Sequence, residues 1–367
     1  MADNKRAPVG GNKPKPGGNN PKPGVSAKDR SRQQSRPVTA KVATGKGGPS
    51  RAGRGSGQSG GRPPVKGKPG ARPRGPSGAL LAWGAVAVVI VVIVVLVVVK
   101  VTGGSGSGNS GSPVPVTPAP ASVVTAVTGI PQSVYDKVGV TSPSVPVTTP
   151  IVLSGQPPLT VDGKSPVMLY YGAEYCPYCA AERWAMTAAL SRFGTWSGLK
   201  VTGSGKGSSS GPEPFPATNT FSYRAASLTS PYLTFKSIEQ YTNIPNTGGQ
   251  GYTILQNPTK AEQTIIAKYS SPTYIPGATA GSTAFPFIDI NNKVLISGAS
   301  FSPGVLAGLS HAQIANGLSD PNNPVTQAIV ATSNYMSAGI CAATNNQPAA
   351  VCQSSGVQAA TKALKLG

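Results

Sequence analysis

Residues 79–99 read ALLAWGAVAVVIVVIVVLVVV, 21 residues with no charge and one hydrogen-bonding side chain, the indole of Trp83. No soluble core needs so long an uninterrupted apolar run. Valine is a mediocre helix former in water. In lipid, however, the backbone must satisfy its own N–H and C=O groups, so helix wins. At about 1.5 Å per residue the run spans roughly 31 Å, close to the hydrocarbon thickness of a bilayer. Trp83 and Lys100 suit the two interfaces. The expectation is one transmembrane helix over residues 79–101. No clear A-x-A cleavage site follows it, and the preceding segment is far longer than a signal-peptide n-region, so it is expected to stay uncleaved.

This run divides the chain. Residues 1–78 hold 17 Gly, 12 Pro and 18 Lys/Arg against Asp3 and Asp29, and no Leu, Ile, Phe, Tyr or Trp. Such a segment buries too little apolar surface to offset its ordering entropy and is expected to be a disordered basic tail. Residues 101–367 hold 13 Lys/Arg, 9 Asp/Glu and all four cysteines. The net charge of +21 therefore describes the tail and not the fold. This arithmetic excludes a compact soluble enzyme of full length and a basic nucleic-acid-binding globule. Arg62, Lys66, Lys68, Arg72 and Arg74 precede the apolar run, and Lys100 alone follows closely, which predicts a cytoplasmic N-terminus and an extracytoplasmic C-terminal part. The tail itself has three readings: attraction to anionic lipid, contact with nucleic acid, disfavoured because no aromatic is interleaved for stacking, or a topogenic role without a ligand.

Residues 102–121 are Gly/Ser-rich and then Pro-rich, a linker. The rest, 122–367, suffices for one elaborated domain. Val123, Val124 and Val127, then Val134 and Val138, predict two short helices broken by Pro131. Strands are expected at 151–153 and 167–171, with Asp162-Gly163 turning between them. A helix over 177–193 has Pro177 at its first position, an apolar face of Met186, Leu190 and Phe193, and Gly194 as its stop. The Gly/Ser/Pro-rich stretch 200–220 reads as a surface excursion. A strand at 232–241, a helix at 259–269 and a hairpin of 285–290 with 293–296 across Asn291-Asn292 follow. Ser310 and Gln313 form a capping box that opens a helix, and further helices are expected at 325–338 and 357–364. The class is α/β or α+β with a mixed sheet.

The chemistry concentrates in Glu174-Tyr175-Cys176-Pro177-Tyr178-Cys179, between a strand and a helix. A cysteine at a helix N-terminus faces free N–H groups and the positive end of the dipole, which stabilise a thiolate. A second cysteine one turn along can attack a mixed disulfide formed on the first. Zinc is disfavoured, because CxxC supplies two of four ligands and His311, the only histidine, lies in the capping box. An inert structural disulfide is the other bland reading. Glu182 reads as a solvated helix residue or a proton relay to Cys179, Glu174 as a surface residue and Trp184 as core. Cys341 and Cys352 read as a structural disulfide, with an electron relay to the CxxC pair as the alternative.

The CPYC tetrad after a strand and before a helix resembles the thioredoxin superfamily and, in its residues, the glutaredoxins. Phe285-Pro286-Phe287-Ile288-Asp289-Ile290 resembles that superfamily's cis-proline and the hairpin after it. The wider stretch Gly172–Trp184 is similar to domain of unknown function 929, whose members look like membrane-anchored thioredoxin-like proteins; the likeness covers about 122–367. The resemblance implies a thioredoxin-like fold with an insertion at about 200–275 and a C-terminal helical extension. It implies Cys176 as nucleophile, Cys179 as resolving thiol, Pro286 shaping the substrate groove, and Tyr175, Pro177, Tyr178 and Phe285 as substrate contacts. Phe285 is bulkier than the residue usual before that proline, and no glutathione site is evident. The expectation is a membrane-anchored, extracytoplasmic thiol–disulfide oxidoreductase acting on cysteines of exported proteins, served by an unnamed membrane redox partner, without cofactor or metal. The alternative is a redox-inert, disulfide-stabilised binding module on a stalk.

Overall fold

The computed structural model describes residues 112–366 apart from 162 and 249. The expected tail, the transmembrane helix at 79–101 and most of the linker lie outside the described residues. Among the described residues no helix is long and apolar enough to cross a membrane.

Two short helices, α1 (Ala121–Thr128) and α2 (Gln132–Val138), flank Pro131 and bury Val123, Val127, Val134 and Val138, with Val124 half-buried. The main sheet then forms from β1 (Ile151–Val152), β2 (Thr160–Val161), β3 (Ser165–Gly172), β6 (Thr234–Glu239), β9 (Phe287–Ile290) and β10 (Val294–Ser297), in the order β6-β3-β9-β10-β1 with β2 pairing β3. Between β3 and β6 lie β4 (Lys200–Gly203) and β5 (Asn219–Ser222); between β6 and β9 lie β7 (Tyr241–Pro245) and β8 (Tyr252–Ile254). β6 runs parallel to β3, whereas β9 is antiparallel to β3 and β10 to β9. The sheet is therefore mixed, as expected.

Why the sequence of β3 is continuously apolar follows from its place in the middle. Successive side chains point to opposite faces, and here both faces are covered. Met168 and Tyr170 enter a helical core, while Val167, Leu169 and Tyr171 enter a second cluster under helix α4 (Lys260–Tyr269). The hairpin β9–β10 alternates in step, with Ile288 and Ile296 on the first face and Phe287 and Leu295 on the second. Asn291 and Asn292 both adopt positive φ, which matches the twist a tight hairpin needs. The helical side holds α3 (Pro177–Ser191), α5 (His311–Gly317), α6 (Pro324–Ala343), α7 (Ala349–Cys352) and α8 (Ser355–Leu364). The capping box of Ser310 and Gln313 opens α5 as expected.

Helix α3 is buried on every side instead of along one stripe. Its alanines, Ala180, Ala181, Ala185, Ala188 and Ala189, let neighbouring backbone approach closely. One neighbour corrects an expectation. The stretch 200–220 is not wholly a surface excursion, because β4 and β5 pair antiparallel against α3 and only its tip is exposed. Thr220 Oγ1 donates to the Ala180 carbonyl (2.7 Å) and Trp184 Nε1 to that of Asn219 (2.9 Å). Small and hydroxylated side chains there serve close packing, a use that composition disguises as loop. The far end of the Pro-rich linker is likewise docked: Thr117–Pro118 pairs with Lys200 and Val201, and the Val114 carbonyl accepts from Thr202 and Asn243. Within the expected insertion, 234–239 is an edge strand of the main sheet itself.

Candidate active site

β3 ends at Gly172, and the turn Ala173-Glu174-Tyr175 carries the chain to α3. Backbone bonds clamp this turn on both sides: Glu174 N–H donates to Tyr241 O (2.9 Å) and Gly205 N–H to Tyr175 O (2.8 Å). Cys176 is the N-cap, Pro177 takes the first helical position, and Cys176 Sγ accepts the Cys179 N–H at 3.3 Å. Sulfur stands here where a capping oxygen usually does. Both thiols are free and buried.

The two thiols differ in proton affinity. The Cys176 thiol is held below its ordinary range, first by the hydrogen bond from the Cys179 side chain and then, against the cost of burial, by backbone N–H groups and the Arg183 charge. The Cys179 thiol is pushed well up, by burial first and by Cys176 second. One negative charge on the pair therefore resides on Cys176.

Around the thiols, Ala173, Tyr175, Tyr241 and Phe285 make a small apolar collar. The Phe285–Pro286 peptide is cis, and Pro286 immediately precedes β9, whose Phe287 pairs with Tyr171. Thus the fold brings Cys176, Cys179, Tyr175, Pro177, Tyr178, Phe285 and Pro286 to one place. Two grooves flank them. One, of about 530 Å³, is lined by Tyr178, Phe215, Phe285, Phe301 and Ser300 among others. The second, of about 340 Å³, is lined by Tyr175, Tyr241, Tyr252 and Ile254 among others, with Tyr175 stacked on Tyr252 at 4.2 Å. Among the described residues neither lining includes a charged side chain.

Beneath the collar lies a charged layer. Arg183, fully buried, donates from Nε to Glu239 Oε1 and from Nη2 to Glu239 Oε2, both at 2.8 Å, and from Nη2 to the Ala173 carbonyl at 2.7 Å. Tyr170 Oη donates to Glu239 Oε2 at 3.3 Å. No sequence signal marks this group. Glu239 closes an alternating strand, where a carboxylate reads as solvent-facing, and its partner stands 56 positions away. Two further carboxylates correct their expectations. Glu182 is not solvated: it is fully buried, accepts from Ser300 N–H (2.9 Å) and Oγ (2.7 Å), and burial raises its pKa to about 7. Glu174 is not at the surface but is buried, paired with Arg224, and accepts from Ser222 Oγ at 2.8 Å. Trp184 is core, as expected.

Cys341 and Cys352 form a disulfide with Cα atoms 5.6 Å apart, joining the last turn of α6 to α7. Both belong to the helical core, a cluster separate from the collar at Cys176 and Cys179. His311 bridges strands, its Nε2 lying 2.9 Å from the carbonyls of both Thr202 and Thr220. Among the described residues no group of three or more His, Cys, Asp or Glu could hold a metal ion.

No curated protein matches the chain. No solved structure matches it either. A family model does match, over residues 152–342, and this span runs from the first strand of the main sheet through the CxxC turn and the hairpin to the end of α6. With more than half its length inside that match, the chain belongs to the family described as domain of unknown function (DUF929).

Proposed function

We propose that the chain is a membrane-anchored thiol–disulfide oxidoreductase on a thioredoxin-like fold, acting outside the cytoplasm on cysteines of exported proteins. The observation that carries this reading is the free Cys176–Cys179 pair at the start of α3, with a stabilised thiolate on the first sulfur and a protonated thiol on the second. The order of the sheet supports the fold: β3, α3 and a parallel β6, then α4 and an antiparallel hairpin with Pro286 at its entrance. The membrane anchor rests on residues 79–99, and the outward orientation on the charges flanking them.

In the reductive direction, the Cys176 thiolate attacks one sulfur of a substrate disulfide. A mixed disulfide forms, and the other substrate sulfur leaves as thiolate. Cys179 then loses its proton and attacks Cys176 Sγ. The substrate's remaining sulfur leaves, so the substrate disulfide is reduced and Cys176–Cys179 is oxidised. The same steps reversed oxidise a substrate dithiol. Either direction needs a second thiol or disulfide protein to restore the pair. The uncharged grooves beside Cys176 suit extended chains with apolar residues near a cysteine. Tyr178, Ile244 and Ile254 are the exposed large hydrophobics among the described residues, and Tyr178 and Ile254 stand one in each groove.

A redox-inert binding module is favoured by one observation, that Cys176 is only 5 % exposed. Trapping separates the two. Cys179→Ala in the full chain should accumulate mixed disulfides with exported proteins on non-reducing gels, and Cys176→Ala should accumulate none. Absence of adducts from both variants, with neither thiol alkylated faster than a free peptide thiol, would leave the binding module as the reading.

A further inference from the structure

The resolving thiol has a difficulty that the attack thiol lacks. Cys179 is fully buried and its thiol is pushed well above the ordinary range, yet it must lose a proton to attack. In the free pair its hydrogen bond goes to Cys176 Sγ. Once Cys176 is in a mixed disulfide, that acceptor no longer carries charge, and the proton needs another.

We propose that Tyr170 takes this proton and passes its own to Glu239, so that Tyr170 and Glu239 form an internal relay for the resolving step; this rests on the oxidoreductase reading. Tyr170 Oη and Cys179 Sγ meet over Gly172. A Cβ there would fall 2.3 Å from the hydroxyl and 2.8 Å from the sulfur, so only glycine leaves room for the contact. The two side chains interact as hydrogen-bonding groups. On its other side the hydroxyl donates to Glu239 Oε2. In the step, S–H of Cys179 breaks as O–H of Tyr170 forms, and the original Tyr170 proton moves to Glu239. The negative charge thus moves from carboxylate to thiolate and stays within the field of Arg183, which acts on both groups. When the Cys176–Cys179 bond closes, the departing substrate thiolate takes up a proton and Glu239 returns one to the outside, restoring its pair with Arg183. Protons and charge balance without a further reactant.

Among the described residues, the charged or titratable groups that act on Cys179 include Cys176 at the N-cap, Arg183 from α3, Tyr170 from β3, Tyr175 from the turn and Glu239 from β6. Glu182 takes no part in the relay: its carboxylate accepts from Ser300, whereas that of Glu239 accepts from Tyr170. Tyr170 is catalytic in this proposal because it touches the reacting sulfur, and Arg183 is a positioning residue.

The test uses the reduced full chain in detergent with the aromatic disulfide DTNB. Attack by Cys176 releases one coloured thiolate, and resolution by Cys179 releases a second. Tyr170→Phe should leave the first phase within about two-fold and slow the second by about 100-fold near neutral pH, the scale of a lost general base. Raising the pH should restore the second phase as hydroxide substitutes for the relay. In the unsubstituted chain the second phase alone should slow in deuterium oxide. A second phase at the unsubstituted rate in Tyr170→Phe overturns the relay, as do two phases slowed alike. If Tyr170→Phe does not fold, the isotope effect decides, and its absence overturns the relay. If DTNB yields no first phase with the unsubstituted chain, the oxidoreductase reading itself fails.

Discussion

The two cysteine pairs of this domain are alike in burial and unlike in everything around them. Cys176 and Cys179 are 5 % and 0 % exposed, Cys341 and Cys352 2 % and 1 %. Exclusion from solvent therefore does not distinguish the two pairs. The first sits at the start of a helix, with free N–H groups, a buried guanidinium and a tyrosine hydroxyl within reach. The second joins the end of one helix to the next amid apolar side chains, where a thiolate would gain nothing. What would make a pair reactive is a set of donors and charges arranged to favour one protonation state, and among the described residues that set surrounds the first pair.

The sharpest way to break the comparison is to remove the charge that the first pair has and the second lacks. Arg183→Met leaves Glu239 buried without its partner. Such a loss costs about 3–5 kcal/mol, and the denaturation midpoint in urea should fall accordingly. The Cys176 thiol should also titrate higher, because one of the influences that lower it is gone. A stable Arg183→Met chain with an unchanged Cys176 titration would mean that the helix end and Cys179 suffice.

Next in size is the second pair. Replacing Cys341 and Cys352 together with alanine should cost about 3 kcal/mol, the chain-entropy value for a loop of this length. The rate of iodoacetamide reaction at Cys176 should not change. Loss of that reactivity at unchanged stability would join the two pairs into one relay and dissolve the contrast.

A comparable ceiling applies to Glu182, whose pKa of about 7 lies above its ordinary value of 4.5. The folded state prefers the protonated acid. The stabilisation is thus complete below about pH 4.5 and disappears as pH rises through about 7, up to about 3 kcal/mol in all. Asp289, on the opposite face of the sheet and also raised to about 7 by burial, adds a slope of its own. Melting temperatures measured from acid to neutral pH should fall with rising pH in the unsubstituted chain and fall less in Glu182→Gln. Equal slopes in the two would remove Glu182 from the account.

How much of this was legible in the sequence depends on the range of each signal. Pro177 at a helix start, the Ser310–Gln313 capping box and the Asn291–Asn292 turn are local, and each element formed where its residues predicted. The CxxC pair and Phe285-Pro286 were legible as motifs. The acidic residues misled: Glu174 and Glu182 read as solvent-facing and Glu239 carries no signal at all until Arg224, Ser300 and Arg183 meet them in space. No local pattern encodes such partners, which stand 50, 118 and 56 positions away. Small residues misled in the same way. The Gly/Ser/Thr run after residue 200 has the composition of a loop, yet part of it is a sheet pressed against α3.

The smallest expected effect on stability falls on Tyr178, which stands between the two cysteines in sequence but points into the groove. It is 38 % exposed and meets Phe215 edge-on with ring centroids 6.0 Å apart. An exposed ring of this kind contributes little to folding, so Tyr178→Ser should change the unfolding free energy by about 0.5 kcal/mol or less. The Cys176 thiol should keep its titration, since Tyr178 acts on it through its backbone N–H. Its role in the proposed oxidoreductase is to hold apolar residues of the substrate beside Cys176. Removing the ring should therefore weaken reaction with a disulfide-bonded peptide bearing large apolar flanks and leave reaction with a small disulfide unchanged. The ratio of the two rates isolates the groove from the thiol chemistry. If the ratio stays constant, the substrate is met elsewhere, and the contrast between the cysteine pairs lies in the thiols alone.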